Sequence, residues 1–152
     1  MEHNKSCERN IIREIKKVQI MFEKNLNKVL DKYELTSAQA PIISYLFEAE
    51  KENREIQQKD IEEFFYLKNP TVTGILDRLE TKKFIVRKIS KDDKRKRLIY
   101  LTSKSKKICE DINTCIEEFR GKVLKGITKE DALVVINVIN KMSENLEELS
   151  DF

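Results

Sequence analysis

The chain has 152 residues, of which 39% are hydrophobic and 38% are charged, and its formal net charge is +3. This length fits one domain, or one domain with helical extensions, and the hydrophobic share is enough for a core. No apolar run approaches the roughly 20 residues of a membrane span, and the N-terminal segment lacks the hydrophobic stretch of a secretion signal. We therefore expect a cytoplasmic protein that does not associate with membranes. The odd count of three cysteines argues against a disulfide framework.

Basic charge is concentrated in the middle of the chain. Residues 66–107 contain 14 Lys and Arg side chains against 4 Asp and Glu, whereas acidic side chains outnumber basic ones on both sides of this segment. A basic centre between acidic flanks is the electrostatic pattern of a protein that binds a polyanion. A lysine-rich surface that is merely solvated is the alternative, and charge by itself does not separate the two.

Two helices are predicted ahead of the basic segment. Apolar residues recur every three or four positions from Cys7 to Tyr33, which predicts one long amphipathic helix. Thr36 followed by Gln39 is a capping-box pattern, and it predicts a second helix over Ser37–Ala49. Because the first helix is long for a globular protein, we expect its apolar stripe to pack on more than one partner.

A helix-turn-helix is predicted at about residues 57–82. Its first helix opens at Gln57 or Gln58 and is expected to bury Ile61 and Phe64. A tight turn follows, and the second helix carries apolar residues at helical spacing. Small polar side chains on the opposite face of this second helix suit entry into a major groove.

The second helix is predicted to begin near Asn69 and Pro70. Asn is a good N-cap, and Pro is tolerated at a first helical position. Two β-rich runs come next, Phe84–Ser90 and Arg97–Thr102, on either side of the charged tip Lys91–Lys96. Two helices followed by a two-stranded hairpin make a winged helix-turn-helix. We therefore predict a mainly α (α+β) protein with a β-wing at about residues 84–102.

The last part of the chain predicts two further helices. Thr102 is expected to cap the fifth helix, and Thr128 with Asp131 is expected to cap the sixth, which runs to about Leu149. Three long amphipathic helices thus lie outside the winged core. We expect them to form a homodimer, with an ordinary helical subdomain of one chain as the alternative.

This division predicts a DNA-binding core at residues 35–102 and a dimerisation region at residues 1–34 and 103–152. The predicted dimer contacts are Ile11, Ile15, Ile112, Ile116, Phe119, Ile136, Ile139 and Leu146. The predicted DNA contacts are Lys68, Asn69, Pro70, Thr71, Thr73, Gly74, Arg78, Lys94, Arg95, Lys96 and Arg97. The alternative for the helical contacts is a solvated face on which Asn69 serves only as a cap.

Several motifs between residues 35 and 107 resemble those of the multiple-antibiotic-resistance regulator (MarR) family. They correspond to the family's "TQxELA" helix, "PTVT" recognition helix, "DRLE", wing motif "DxR" and final "LT", and they stand at residues 58–61, 70–73, 77–80, 93–95 and 101–102. Lys83 and Ser105 occupy positions where the family often has Gly, and we expect Lys83 to take a left-handed conformation just after the recognition helix. The resemblance implies a homodimeric transcription regulator, usually a repressor, that is released by a small ligand or by oxidation. Two-fold symmetry would pair it with a palindromic operator.

The resemblance also suggests where an effector would bind. The candidate pocket residues, for which ordinary core packing is the alternative, are Phe22, Tyr33, Tyr45 and Phe47. Cys7 is a candidate redox sensor, although relatives that sense peroxide carry the Cys deeper in the first helix, about where Ile12 stands. An inert thiol is the alternative reading of Cys7.

Other classes of function have little support in the sequence. His3 is the single histidine, which excludes a His-rich metal site. We find no phosphate loop, nucleophile elbow or metal motif, and we expect no catalytic residue and no cofactor. A winged helix that only contacts proteins would have no use for the basic tip. An RNA binder would need exposed aromatic side chains, and the basic segment has only Tyr66, Phe84 and Tyr100, which we expect to be buried. The sequence therefore predicts a sequence-specific regulator that binds double-stranded DNA.

Overall fold

The computed structural model describes residues 2–149, with side chains for residues 10–149. The described elements are α1 Glu2–Leu30, a short 3₁₀ helix Asp31–Tyr33, α2 Ala40–Lys51, α3 Gln58–Phe64, α4 Asn69–Thr81, β1 Ile85–Ile89, β2 Arg97–Leu101, α5 Ser103–Val123 and α6 Lys129–Glu148. This confirms the predicted winged helix-turn-helix with long helices before and after it. None of these helices combines the length and hydropathy that a membrane span requires.

Contacts group the chain into two compact units, Met1–Phe119 and Arg120–Phe152. The first unit holds the core, in which α2, α4 and α5 meet the end of α1 and the wing. Its fully buried side chains include Leu30, Ile42, Ile43, Leu46, Ile61, Val72, Leu76, Leu79, Phe84, Ile85 and Ile112. In the second unit, α6 has no buried residue. The predicted boundaries between the DNA-binding core and the dimerisation region, at residues 35 and 102, do not coincide with the boundary between these two units and stay a prediction.

The two strands form an antiparallel hairpin in which Ile85 pairs with Leu101 and Ile89 pairs with Arg97. At its base, the Ile99 N–H donates to the Ile56 carbonyl over 2.9 Å, so the segment before α3 runs alongside β2. This contact holds the wing against the start of the helix-turn-helix.

Both ends of α1 and of α2 differ from the prediction, since α1 already begins at Glu2 and α2 continues to Lys51. α1 ends at Leu30 rather than Tyr33, because the chain tightens into the 3₁₀ helix and then reverses at Glu34, whose φ is 58°. α2 begins at Ala40 rather than Ser37, and residues 37–39 form a turn. Only half of the expected capping box forms, with Gln39 Oε1 accepting the Thr36 N–H over 3.2 Å. A polar pair of this kind marks where a chain turns, but it does not fix the first helical residue.

The predicted burial of Tyr66 is wrong, because this residue reverses the chain after α3 with a φ of 53° and its side chain is 94% exposed.

The predicted burial of Phe64 is also wrong. Phe64 is 59% exposed, and its ring stacks on Tyr45 with centroids 4.4 Å apart. α3 has only seven residues, so its narrow inward face is filled by Ile61. Phe64 lies at the helix end, where the chain turns away from the core.

The turn after α4 has the conformation that the sequence predicts. Lys83 has a φ of 62°. The Lys83 N–H donates to the Glu80 carbonyl over 2.9 Å and the Phe84 N–H to the Leu79 carbonyl over 2.8 Å, which is a Schellman motif.

The start of α5 is fastened to this turn. Thr102 Oγ1 donates to the Lys83 carbonyl over 2.8 Å and accepts the Ser105 N–H over 3.4 Å, so Thr102 caps α5 as predicted. The buried hydroxyl of Ser105 donates to the Phe84 carbonyl. At the other cap, Thr128 Oγ1 accepts the Asp131 N–H over 3.1 Å, which confirms the predicted start of α6.

We predict that Lys83→Gly stabilises the first unit by up to roughly 1 kcal/mol, because a side chain in the left-handed region costs about 1–2 kcal/mol and Gly removes that cost. The gain is smaller than the cost removed, since Gly also raises the conformational entropy of the unfolded chain. Urea unfolding would measure the change. Lys107→Gly is the matched control, since it removes an exposed lysine from the interior of α5 and should destabilise by about 1 kcal/mol. A loss of stability in Lys83→Gly would contradict the prediction.

Candidate nucleic-acid interface

α4 has one buried and one exposed face. Val72, Ile75, Leu76 and Leu79 are buried in the core. The opposite face carries the predicted contacts, of which Lys68, Asn69, Pro70, Thr71 and Arg78 are exposed and Thr73 and Gly74 are half-buried. A Cβ added at Gly74 would meet nothing within 4 Å. The predicted helix contacts therefore run along the open side of α4, from Lys68 just before its start to Arg78 in its last turn.

The predicted N-cap role of Asn69 is wrong. Lys68 is the N-cap residue, in an extended conformation and without a side-chain cap bond, and Pro70 lies in the first turn. Asn69 is the first helical residue, and its Nδ2 donates to Glu62 Oε1 over 2.8 Å. The nearby acceptor on α3 therefore outcompetes the local backbone for the Asn69 side chain.

A hydrogen-bond network joins α3 to the exposed face of α4. Gln58 Nε2 donates to Thr73 Oγ1 over 2.8 Å and to Glu62 Oε1 over 2.9 Å. Glu62 Oε1 thus receives both Gln58 and Asn69. Sequence reasoning missed Gln58 and Glu62 as members of this site. Their spacing of four residues on one helix face was the available signal.

The wing tip presents the other predicted contacts, since Lys94, Arg95, Lys96 and Arg97 are all exposed. The Arg95 side chain is 92% exposed. Asp93 Oδ1 accepts the Arg95 backbone N–H over 3.0 Å and Arg95 Nε over 3.3 Å. The hydrogen bond from the Arg95 backbone N–H lowers the pKa of Asp93 most, and the bond from the Arg95 side chain lowers it further. The tip is therefore held by a carboxylate while the far end of the guanidinium faces outward.

Arg87 on β1 clamps the wing to α4. Its Nη2 donates to Asp77 Oδ1 over 2.6 Å, and its Nε donates to Glu80 Oε2 over 2.9 Å. The Arg87 backbone N–H donates to Glu80 Oε1 over 3.1 Å. The hydrogen bond from the Arg87 side chain lowers the pKa of Glu80. Sequence reasoning missed this clamp, although Asp77 and Glu80 stand one helical turn apart in the "DRLE" motif.

Most acidic side chains of the basic segment, residues 66–107, thus form ion pairs with arginines of the same chain. Arg87 takes up Asp77 and Glu80, and Arg95 pairs with Asp93. In the described part of the chain, no ion pair involves Lys68, Arg78, Lys94, Lys96 or Arg97. The start of α4, its last turn and the wing tip therefore each present exposed cations without an ion-pair partner among the described residues.

The aromatic residues suggested for an effector pocket lie in separate contacts. Phe22 packs edge-on against Phe119 at 5.1 Å, Tyr45 contacts Phe64 at 4.4 Å, and Lys51 Nζ lies 4.3 Å from the Phe47 ring centroid. Tyr33 has a similar contact with its neighbour Lys32. Among the described side chains, no ring contact joins two of the four. A cavity of about 410 Å³ lies instead beside the outer half of the wing, lined by residues that include Lys88, Ser90 and Tyr100.

The cysteines of α5 are free thiols. Burial raises the pKa of Cys109 to about 11, so this thiol stays protonated at neutral pH. The side chain of Cys7, the predicted redox candidate, lies outside the described residues. Within the described residues, no group of three or more His, Cys, Asp or Glu side chains could hold a metal ion.

We predict that Arg87→Ala destabilises the first unit by about 1–3 kcal/mol at pH 7, because it removes charged hydrogen bonds from two carboxylates. The pKa of Glu80 is lowered by Arg87, so this stabilisation is complete above the unfolded-state pKa near 4.5 and is lost as the pH falls through the lower folded-state value. Urea unfolding of wild type and variant should therefore give free energies that converge as the pH falls through the lowered folded-state pKa of Glu80.

The control for this prediction is Arg78→Ala, which removes an exposed arginine from the same helix without touching the clamp. It should change stability by no more than about 0.5 kcal/mol. A difference between wild type and Arg87→Ala that is equally large at pH 7 and pH 3 would contradict the assignment to Glu80.

Comparison with known proteins matches this chain to transcription regulators. A family model described as transcriptional regulator SarA/Rot matches residues 24–112. The transcription regulator MarR from Oenococcus oeni PSU-1 is 30% identical, with 88% of this chain and 98% of that chain covered and a TM-score of 0.74.

Two solved structures with DNA are also similar. An S. aureus MepR–DNA complex is 22% identical over 87% of this chain and 93% of that chain, with a TM-score of 0.76. A mutant MarR from E. coli complexed with operator DNA is 22% identical over 88% and 93%, with a TM-score of 0.75. At this level of identity, the two complexes establish a shared fold.

Proposed function

Because this chain belongs to the SarA/Rot family of transcriptional regulators and to the wider MarR group whose winged-helix fold it shares, we propose that it is a homodimeric repressor of palindromic operators. The resemblance predicted from the motifs is thereby confirmed, as is the prediction of a regulator rather than an enzyme. The observation that carries the proposal is the set of exposed basic side chains along α4 and at the wing tip that have no ion pair among the described residues, namely Lys68, Arg78, Lys94, Lys96 and Arg97.

In this proposal, α4 enters the major groove and the wing follows the backbone to the minor groove. Asn69, Thr71 and Thr73 offer hydrogen-bonding groups to base edges at the N-terminal end of α4. Lys68, Arg78 and the wing lysines offer cations to phosphates. MepR and E. coli MarR, which share the fold, were each solved in complex with DNA, and this supports DNA binding by this chain. Binding the chromosome requires the protein to be in the cytoplasm, and we propose that compartment.

The dimer proposal rests on apolar side chains that this chain leaves exposed. Ile11 and Ile15 on α1 are 42% and 41% exposed. On α6, Ile136, Ile139 and Leu146 are exposed as well. Ile112 and Ile116, which were also predicted as dimer contacts, are buried within the chain itself, and Phe119 packs on Phe22. We therefore centre the proposed interface on α1 and α6.

We predict that the wild type sediments as a dimer at micromolar concentration and that Ile139→Asp sediments as a monomer with its helical content retained, because a buried unpaired carboxylate would destabilise the interface. Ile89→Asp is the matched control, since it places the same charge at an exposed isoleucine of β1 and should leave the dimer intact. A wild type that sediments as a monomer would sink the proposal.

Repression would follow from occupancy, since a dimer covering two half-sites about 34 Å apart blocks access to the DNA beneath it. We also propose that a small molecule releases the protein from DNA, and this part of the proposal rests on the family resemblance. The candidate pocket residues are Phe22, Tyr33, Tyr45 and Phe47. Selection of bound genomic fragments by the purified protein tests the core of the proposal. Enrichment of a two-fold symmetric sequence is the expected result, and fragments without a shared sequence would contradict it.

We predict that Arg95 enters the minor groove beside each half-site. A narrow A·T-rich minor groove attracts arginine through its enhanced negative potential, and a guanidinium is less strongly hydrated than an ammonium. Arg95→Ala should weaken specific binding by about 1–3 kcal/mol. Replacing flanking A·T pairs with G·C should weaken the wild type and affect the variant much less.

Fluorescence anisotropy at fixed salt can measure these combinations. Lys94→Ala is the control, because loss of a phosphate contact weakens all duplexes about equally and reduces the salt dependence. If Arg95→Ala and wild type respond equally to the flank change, Arg95 only pairs with Asp93 at the surface.

A further inference from the structure

The carboxylate of Glu62 lies beside the side chain proposed to contact bases. Glu62 Oε1 accepts Asn69 Nδ2 over 2.8 Å and Gln58 Nε2 over 2.9 Å. No cation pairs with Glu62 in the part of the chain that the structure describes. A negative charge on a surface that meets phosphates lowers affinity for every duplex. Its position is therefore unfavourable for general binding and calls for another physical role.

A carboxylate can accept hydrogen bonds but cannot donate them when ionised. The Asn69 amide must therefore turn its nitrogen toward Glu62, which fixes an amide that could otherwise flip. Gln58 is fixed in the same way, because its two amide hydrogens go to Glu62 and to Thr73 Oγ1 over 2.8 Å. A glutamine at position 62 could make bonds of the same length, but it could also donate. The asymmetry of the carboxylate is what imposes one orientation on Asn69.

The fixed amide leaves Asn69 with one acceptor, Oδ1, and one remaining N–H donor. In the major groove, adenine presents the complementary pair, the N6 amino donor and the N7 acceptor. Guanine presents two acceptors, O6 and N7, so Oδ1 would face O6 and the two oxygens would repel. We infer that Glu62 is a positioning residue that sets the orientation of Asn69 and thereby makes each half-site require adenine at the base that Asn69 contacts. This inference rests on the proposed function.

The probe is a duplex that the wild-type protein selects from a random-sequence pool, together with copies in which, position by position, the A·T pair is changed to G·C in both half-sites. Anisotropy at fixed salt is measured for wild type, Asn69→Ala, Glu62→Gln and the double variant. Thermal unfolding checks that each remains folded. Glu63→Gln is the matched control, because Glu63 is the next residue on α3, is exposed, and pairs with Lys59 at 3.6 Å.

We expect the wild type and Glu63→Gln to lose roughly 10- to 100-fold in affinity when G·C replaces A·T at one position of each half-site. Glu62→Gln should lose about threefold or less at that same position, and Asn69→Ala should also lose the discrimination. Adding Glu62→Gln to Asn69→Ala should change nothing further at this base pair, because Glu62 acts through Asn69. A purely structural role for Glu62 would lower stability without changing the base preference.

The other outcomes distinguish a wrong role for Glu62 from a failure of the proposed function. If Glu62→Gln discriminates between A·T and G·C as strongly as the wild type does, the positioning role of Glu62 is wrong, and the proposed function still stands. A preference that changes at a different base pair, and still changes in the Asn69→Ala background, means that Glu62 contacts DNA directly and also overturns it. A pool from which the wild type enriches no sequence overturns sequence-specific binding, and the inference falls with it.

Discussion

The left-handed turn at Lys83 determines where the chain goes after α4. With φ at 62°, the backbone reverses directly after the helix, and the Phe84 N–H bonds back to Leu79. β1 then runs beside α4, which brings Arg87 within reach of Asp77 and Glu80. Thr102 and Ser105 fasten the start of α5 to the same turn. One backbone conformation therefore places both the wing and α5 relative to the exposed face of α4.

The clamp at Arg87 also shapes the electrostatics of the surface. Asp77 and Glu80 lie on either side of Arg78 in the sequence, and unpaired they would offset its charge. Because Arg87 binds both carboxylates from the wing side, Arg78 remains exposed without an ion pair among the described residues. Packing and charge are thus linked, since the ion pairs that hold the wing in place also leave the surplus of positive charge on the outward side.

Much of the fold was predictable because its signals are local. Apolar spacing located α4 and its buried face, and the motif position of Lys83 indicated a left-handed residue that the structure confirms. The errors arose where a side chain had two competing partners. The Asn69 side chain bonds to Glu62 rather than to the local backbone, and Phe64 packs on Tyr45 rather than in the core. Periodicity shows that a residue lies on an apolar face, but it does not identify the partner that covers that face.

The same limit explains the candidate sites. Ile112 and Ile139 occupy equivalent positions in two apolar stripes, yet the first is fully buried within the chain and the second is 44% exposed. Sequence spacing could not separate these environments, because both patterns are amphipathic helices. Likewise, Gln58 and Glu62 look like solvated polar residues until α3 and α4 are placed side by side. Long-range neighbours, rather than composition, decide which polar groups belong to the site.

For a DNA-binding regulator, affinity and selectivity make different demands on this surface. Lysine and arginine side chains raise affinity for any duplex through counterion release, whereas competing genomic sites make the ratio of specific to non-specific binding the quantity that matters. In the inference drawn above, the Glu62 carboxylate, which has no ion-pair partner among the described residues, would lower the non-specific part and, by fixing Asn69, sharpen the specific part. The proposed two-fold dimer would apply that selection at both half-sites. Because effects at well-separated base pairs add in free energy, a discrimination of about tenfold per half-site becomes roughly a hundredfold for the palindrome.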